Sequence, residues 1–132
     1  MAKAIKTKQL SFGMPDKTGL LSEVTAAIQA AKANMSSICA YAMDGRAFFM
    51  VTTESNAKAK KAISKLGAKV KEEDVVAVET PNRVGGLDKV AKKLADAGID
   101  IYYIFGTAST GKTAAVVFSS SDNKKLIKVV NK

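Results

Sequence analysis

The chain has 132 residues, 47% of them hydrophobic and 25% charged, and its formal net charge is +9. It has no histidine and one cysteine, Cys39, so it lacks an internal disulfide, the commonest general base and a usable zinc ligand set. No stretch has the 18 apolar residues of a membrane span, and no apolar run follows the basic start. These features predict a cytoplasmic protein with no membrane contact, no metal and no cofactor.

The first half of the chain predicts the order strand, helix, strand, strand, helix, strand. Apolar residues alternate with small ones in the first strand, and a turn rich in helix breakers precedes a helix that starts near Leu20. A hairpin turn is predicted at Asp44 and Gly45, and Asn56 is predicted to cap the second helix. The predicted strands are residues 9–14, 35–42, 47–53 and 67–71, and the second helix covers residues 56–66.

The second half repeats this order 66 residues later. Residues 14–53 and 80–119, aligned without a gap, are identical at nine of forty positions, where about two or three matches arise by chance. The repeated strands are predicted at 75–80, 99–105 and 113–118, and the helical faces at 87–97 and 122–131, with Asp122 as a cap. We predict two domains, residues 1–72 and 73–132. The second has no fourth strand after its last helix, so it lacks an edge, a neighbour supplies one, or the chain is shortened.

The order βαββαβ defines the fold class as α+β. Each copy is predicted to be a ferredoxin-like unit, with an antiparallel sheet and helices on one face, and the two units follow each other in tandem. A unit of this size is only marginally stable alone, because small domains bury little surface. Its edge strands also invite sheet extension, so a homo-oligomer, a dimer formed through the sheets, is predicted.

The turn before each first helix resembles the loop of ACT domains, which runs Asp or Asn, two residues, Gly, one residue, Leu. Residues 15–21 read Pro-Asp-Lys-Thr-Gly-Leu-Leu and residues 81–87 read Pro-Asn-Arg-Val-Gly-Gly-Leu. The helix exits at 31–35 and 97–101 resemble the family's Ala-Gly-Ile-Asn-Ile, with departures at Lys32 and Ala33. The resemblance covers residues 6–131 and is close to small stand-alone proteins made of tandem ACT domains.

The resemblance implies a non-enzymatic regulatory module that binds an amino acid or analogue at a domain–domain interface and signals through assembly or contacts with a regulated protein. Glycine permits the tight turn, and a helix's first N–H groups favour a carboxylate. Asp16 or Asn82 suits an α-amino group, although Asp16 also suits a plain helix cap. If only one loop binds, we expect it to be the second. The candidate ligand-binding residues are Asp16, Gly19, Leu20, Leu21, Asn34, Met35, Asn82, Gly85, Gly86, Leu87, Asp100 and Ile101.

An RNA-binding module of the RRM type is the alternative, because it shares the βαββαβ order and stacks bases on strand aromatics. Residues 10–15 and 45–51 loosely match its two signatures, and the basic charge agrees. However, Phe48 and Phe49 are adjacent and point to opposite faces of a strand. The second copy has Ala-Ala-Val at 114–116, with nothing to stack a base. Nucleic acid is therefore the less favoured partner.

A remote alternative is nucleotide binding, because residues 106–113 match the P-loop pattern G-x-x-x-x-G-K-[ST]. A phosphate-binding loop must open a helix, whereas residues 113–118 are β-branched and apolar and predict a strand. The repeat also maps this segment onto the hairpin at 40–47. No catalytic residues are predicted, because the sequence has no nucleophile–base pair and no paired carboxylates at a pocket.

Overall fold

A computed structural model of the chain describes residues 2–108 and 110–132. Within these ranges the chain forms six β-strands and four α-helices. None of these helices has the length and apolar character of a membrane-spanning segment. The elements are β1 (Lys3–Pro15), α1 (Leu20–Ala30), β2 (Met35–Met43), β3 (Arg46–Thr53), α2 (Asn56–Ser64), β4 (Lys71–Pro81), α3 (Gly86–Asp96), β5 (Ile101–Ala108), β6 (Thr113–Ser120) and α4 (Asn123–Asn131).

The chain divides into two compact units, and strands β1 and β4 each contribute to both. The N-terminal unit is Lys8–Glu73, and the C-terminal unit is Asp74–Lys132 together with the start of the chain through Thr7. A single cut between residues 72 and 73 was expected, and the division at Glu73 lies one residue from it. The first residues of the chain, however, belong with its second half.

In the N-terminal unit the strand order is β2-β3-β1-β4, with residues 71–73 as the β4 portion. Strand β3 pairs antiparallel with both β1 and β2. Alternate residues of β1 and β3 are buried against α1 and α2, because successive strand side chains point to opposite faces. This confirms the ferredoxin-like α+β prediction. The core consists of Leu10, Phe12, Leu20, Val24, Ile28, Ala33, Ala47, Phe49, Val51, Ala59, Ile63 and Ala68.

The C-terminal unit has the corresponding strand order β5-β6-β4-β1, in which β1 contributes residues 3–7. Strand β6 pairs antiparallel with β4 and β5, and α3 and α4 cover the face that carries the core. The residues of that core are Ala4, Val76, Val78, Val90, Leu94, Ile99, Val116, Phe118, Leu126 and Val130.

The start of the chain supplies the fourth strand that the second copy lacks. Ala4 is only 3% exposed and belongs to the core of the C-terminal unit. Its backbone N–H donates to Asn131 Oδ1 at 2.7 Å, and Asn131 Nδ2 donates to the Ala4 carbonyl at 2.9 Å. Lys6 Nζ also lies 3.9 Å from an Asp74 carboxylate oxygen. The sequence suggested a missing edge, a strand from a neighbour or a shortened chain, whereas the structure places residues 3–7 of the same chain at this edge.

The fourth strand predicted at residues 67–71 is present but begins later, at Lys71, and continues beyond the predicted end. Gly67 has φ +93° in a turn after α2, and the strand begins only at Lys71. The acidic residues 72–74 lie inside β4. Their side chains are exposed or half-buried, so a strand at this position carries acidic residues without burying them.

The second hairpin is one residue longer than the first, so the gapless alignment fails after it. Leu10 pairs with Val51, whereas its repeat equivalent Val76 pairs with Phe118. The offset between the copies is therefore 66 before the hairpin and 67 after it. Val51 and Val117, which the alignment paired, point to opposite faces, because only Val51 lies in a core cluster.

Two asparagines at the corrected offset anchor the second helix of each unit. Asn56 does not cap α2 as predicted, because the cap position belongs to Ser55. Asn56 Nδ2 donates to the Lys8 carbonyl at 3.1 Å, and Asn123 Nδ2 donates to the Asp74 carbonyl at 3.2 Å. The predicted cap Asp122 is confirmed, since its side chain accepts from the Lys125 N–H at 3.0 Å.

The left-handed residue after α1 gives a matched pair of stability predictions. Lys32 has φ +57° where its repeat equivalent Gly98 has φ +71°, and a side chain in this region costs about 1 kcal/mol. We expect Lys32→Gly to raise the free energy of unfolding by about 0.5–1 kcal/mol. Gly98→Lys should lower it by about 1 kcal/mol. Urea unfolding measures both free energies. Equal effects of the same sign would contradict the claim that a side chain at this left-handed position is destabilising.

The contact between Asn131 and Ala4 predicts how firmly the chain start is held. Asn131→Ala removes two hydrogen bonds to a buried backbone, so the free energy of unfolding should fall by about 2 kcal/mol. Hydrogen exchange should accelerate in residues 3–7 and in the strands of the C-terminal unit. Lys132→Ala, at the exposed neighbouring position, is the control. Unchanged exchange at residues 3–7 would show that this strand is held in another way.

Candidate functional site

The two predicted loops share a backbone geometry that begins each first helix. Gly19 and Gly85 are the residues before α1 and α3, with φ +86° and +82°, and neither helix has a side-chain cap. Asp16 therefore does not cap α1. Its backbone N–H instead donates to the Gly45 carbonyl at 2.9 Å, which ties the loop to the hairpin. The tight turn expected of both glycines is present.

Asn82 ties the second loop to its hairpin more strongly. Its backbone N–H donates to the Lys112 carbonyl at 2.8 Å, and its side-chain Nδ2 donates to the Gly111 carbonyl at 2.9 Å. The carboxylate of Asp16, the residue in the equivalent position, cannot make the second bond because it has no N–H to donate. The amide at position 82 thus fixes the loop around which a cavity forms.

A cavity of about 370 Å³ lies in the C-terminal unit between this loop, the start of α3 and the edge strand β5. Its volume is within the range of small-molecule sites. Of the predicted ligand-binding residues, Asn82 and Leu87 line it. The lining residues are Thr80, Pro81, Asn82, Arg83, Leu87, Ile104, Phe105, Gly106, Thr107, Ala114 and Val116.

The cavity lies where three residues are smaller than their counterparts in the other copy. With the corrected offset, Thr80 corresponds to Met14, Val116 to Phe49 and Gly106 to Ala40. Gly106 has no space for a side chain, since a Cβ there would lie 2.8 Å from the Ala115 carbonyl oxygen.

The corresponding space in the N-terminal unit is filled by its core. The rings of Phe12 and Phe49 stack with centroids 5.0 Å apart and an angle of 6° between their planes, and Met14 packs against the same core. Leu20, a predicted ligand-binding residue, is itself in this core and is 3% exposed. Leu21 is 55% exposed. This difference between the units favours the second loop as the binding loop.

The predicted residues at the helix exits lie away from the loops. Helix α1 has 11 residues and is therefore about 16 Å long, which separates its two ends. Asn34 and Met35 line a different cavity of about 390 Å³ beside the end of α1. In the C-terminal unit, Ser121 N–H donates to the Asp100 carbonyl at 2.9 Å. The structure therefore does not bring the helix exits and the loops together within either unit.

Gly85, Gly86 and Ile101 do not line the cavity at the Asn82 loop and have structural positions instead. Gly85 forms the turn before α3, and Ile101 packs against the core of the C-terminal unit. Gly86 lies against the Pro81 carbonyl oxygen, which would be 2.3 Å from an added Cβ. The glycine pair thus lets the helix begin directly beside the end of β4.

The cavity combines an apolar floor with a polar rim. Leu87, Ile104 and Val116 supply aliphatic surface. Asn82, Arg83 and Thr107 supply amide, guanidinium and hydroxyl groups. A guanidinium group and the unpaired N–H groups of a helix's first turn both favour a carboxylate. The site therefore suits a small molecule with a charged head and an apolar tail.

Nine of the eleven lining residues were not predicted from sequence, among them Arg83, Ile104, Gly106 and Thr107. Gly106 and Thr107 belong to the P-loop match, but they lie within β5, and Thr113 begins β6 rather than a helix. Ser109, in the middle of that match, lies outside the described residues. The flanking strands exclude a phosphate-binding loop of the P-loop type. The sequence signal that could have indicated this cavity is the change from Ala40 to Gly106 between the copies.

The RRM alternative is not supported by the placement of the aromatic residues. Phe12 on β1 stacks with Phe49 inside the core. Phe48, on the opposite face of β3, is half-buried, and its ring centroid is 5.4 Å from that of Tyr41. Base stacking in an RRM needs exposed aromatics on both strands, and β1 has Ser11 and Gly13 on that face.

Solved structures define the class of fold. The chain is similar to the regulatory subunit of aspartate kinase from Thermus thermophilus in a ligand-free form, with 15% identity, 98% of this chain and 94% of that chain covered, and a TM-score of 0.70. It is also similar to the alpha and beta subunits of aspartokinase, with 20% identity, coverage of 98% and 95%, and a TM-score of 0.69. The fold is therefore ACT-like.

A nearer relative shows the family. Protein BT0572 from Bacteroides thetaiotaomicron is 31% identical over 97% of this chain and 88% of its own, with a TM-score of 0.88. The chain belongs to the same family as this protein. No protein-family model matches the sequence, and no curated protein matches it either.

Proposed function

We propose that the chain is a non-enzymatic regulatory module, built from two tandem ACT-like domains, that binds a small amino-acid-like effector in the C-terminal unit. The observation that carries this proposal is the cavity at the Asn82 loop, which joins aliphatic and charge-binding groups in one place. The ACT-like fold supports it, because that fold is shared with regulatory subunits of aspartate kinase.

The lining residues suggest an orientation for the effector. Its carboxylate faces Arg83 and the first turn of α3, where a guanidinium and helix N–H groups favour negative charge. Its side chain lies on Leu87, Ile104 and Val116. An α-amino group faces the hydroxyl groups of Thr80 and Thr107, which accept hydrogen bonds.

The same cavity offers a route for signalling. Ile104 lines it and lies on β5, the outermost strand of the C-terminal unit, where it is 45% exposed. An effector that packs on Ile104 alters the apolar surface that this edge presents to a second copy of the chain or to a regulated protein. Edge strands with exposed apolar residues are suited to such contacts.

Filling the cavity should abolish effector binding. Val116→Phe places in the C-terminal unit the residue that the other copy has at Phe49. Calorimetry with each of the twenty amino acids should show binding by the unmodified chain and at least about tenfold weaker binding by Val116→Phe, since the added ring occupies the ligand's volume.

The control for this test is Phe49→Val, which changes the same position in the other unit. This variant loses the stack with Phe12 and should be less stable by about 1–3 kcal/mol, but it should bind the effector as before. If no amino acid binds the unmodified chain, or if both variants weaken binding equally, the proposed site is wrong.

If the module signals through assembly, the effector should change its oligomeric state. Light scattering with and without a saturating amino acid should show a shift in average mass or in dissociation constant. Ile104→Ser removes apolar surface from the β5 edge and should reduce this shift. Ile38→Ser makes the same change on β2, the edge strand of the N-terminal unit, and tests whether that edge takes part in assembly. An identical assembly in all conditions would exclude the assembly mechanism and leave regulation through a different partner.

A further inference from the structure

A second cavity of the C-terminal unit is lined by three basic side chains and no carboxylate. It measures about 320 Å³ and lies along α3. Arg83, Lys89 and Lys93 supply its positive charge, and Pro81, Gly86, Val90 and Ala2 complete its lining. Among residues 2–108 and 110–132, none of the three basic groups forms an ion pair. Three neighbouring like charges repel each other unless an anion compensates for them.

The other copy shows how this position looks when its charge is balanced. Lys17, the equivalent of Arg83, forms an ion pair with Glu23 at 2.8 Å. The equivalent of Glu23 is Lys89, and the equivalent of Lys93 is Ala27. One acid and one alanine have thus become two lysines, and an internal pair has become a cluster of cations.

The shape of the cavity differs between the copies for a similar reason. Leu20 buries its side chain in the core of the N-terminal unit, whereas the equivalent residue in the C-terminal unit is Gly86, which lines the cavity. A side chain at Gly86 is excluded, because its Cβ would lie 2.3 Å from the Pro81 carbonyl oxygen. The glycine therefore leaves room beside the basic residues.

We propose that this cavity binds a multiply charged oxyanion, a phosphate group or a small phosphorylated molecule. Guanidinium and ammonium groups bind phosphate oxygens through short charge-assisted hydrogen bonds. Three cations match the two or more charges of such a ligand better than the single charge of a carboxylate. Arg83, Lys89 and Lys93 are all exposed, so the affinity falls as the salt concentration rises.

This site is separate from the effector cavity, although Pro81 and Arg83 contribute to both. Lys89 and Lys93 line only the oxyanion cavity, and Val116 lines only the effector cavity. Val116→Phe should therefore leave oxyanion binding unchanged, and Lys93→Ala should leave amino-acid binding unchanged. The two variants therefore distinguish a failure of one proposal from a failure of the other, although both ligands contact Arg83.

The test is a titration of the full chain with pyrophosphate and with inorganic phosphate, followed by nuclear magnetic resonance of backbone amides at constant ionic strength. We expect saturable shifts at Gly86, Lys89 and Lys93 that sodium chloride does not reproduce. Lys89→Glu restores the pair that Lys17 and Glu23 form in the other copy, and should weaken pyrophosphate binding at least about tenfold. Lys93→Ala should weaken it less, because it removes one charge instead of reversing one.

Lys92→Glu is the matched control, since it changes the net charge equally on the same helix. Lys92 already pairs with Asp88 at 3.0 Å and does not line the cavity. Equal weakening by Lys92→Glu and Lys89→Glu would overturn the proposal and show only a general charge effect. Shifts that chloride reproduces would also overturn it. Tighter binding of a single-stranded oligonucleotide than of pyrophosphate would replace it with a nucleic-acid surface.

Discussion

The whole structure depends on one constraint, which is that the first strand of a βαββαβ unit is central in its sheet and needs a partner on both sides. Backbone N–H and C=O groups of a buried strand must be paired. In each unit the third strand covers one side. The other side is covered by residues 71–73 in the N-terminal unit, which follow α2 in the same stretch of chain, and by residues 3–7 in the C-terminal unit, which come from the start of the chain. Strands β1 and β4 therefore each serve both units, and the second copy is completed by the start of the chain.

The two copies differ in their core side chains and in their charges. The N-terminal unit fills its interior with the Phe12–Phe49 stack and neutralises its helix start with the pair Lys17–Glu23. The C-terminal unit has valines at both aromatic positions and cations at both charged positions, and it contains the two cavities on which the proposals rest. The N-terminal unit thus packs large side chains into its core, whereas the C-terminal unit has cavities and a cluster of basic side chains.

Much of the fold follows from local patterns, whereas the site does not. Alternation in strands, helix faces and the two glycine turns predicted the ferredoxin-like fold and its repeat. The position of residues 3–7 in the C-terminal unit was not predictable, because nothing in their sequence shows that Ala4 is buried against Asn131. The extra residue in the second hairpin hid the equivalence of Phe49 and Val116. Without that equivalence, a cavity that lies where Thr80, Gly106 and Val116 are smaller than their counterparts cannot be recognised.

The central claim is that the C-terminal unit binds the effector and the N-terminal unit does not. Amide chemical shifts of the full chain, recorded with and without a saturating amino acid, test it most directly. The account predicts perturbations at Asn82, Leu87 and Gly106. It predicts none at Asp16, Leu21 and Ala40, their equivalents in the filled unit. Equal perturbations in both sets, or shifts confined to the first, would contradict it.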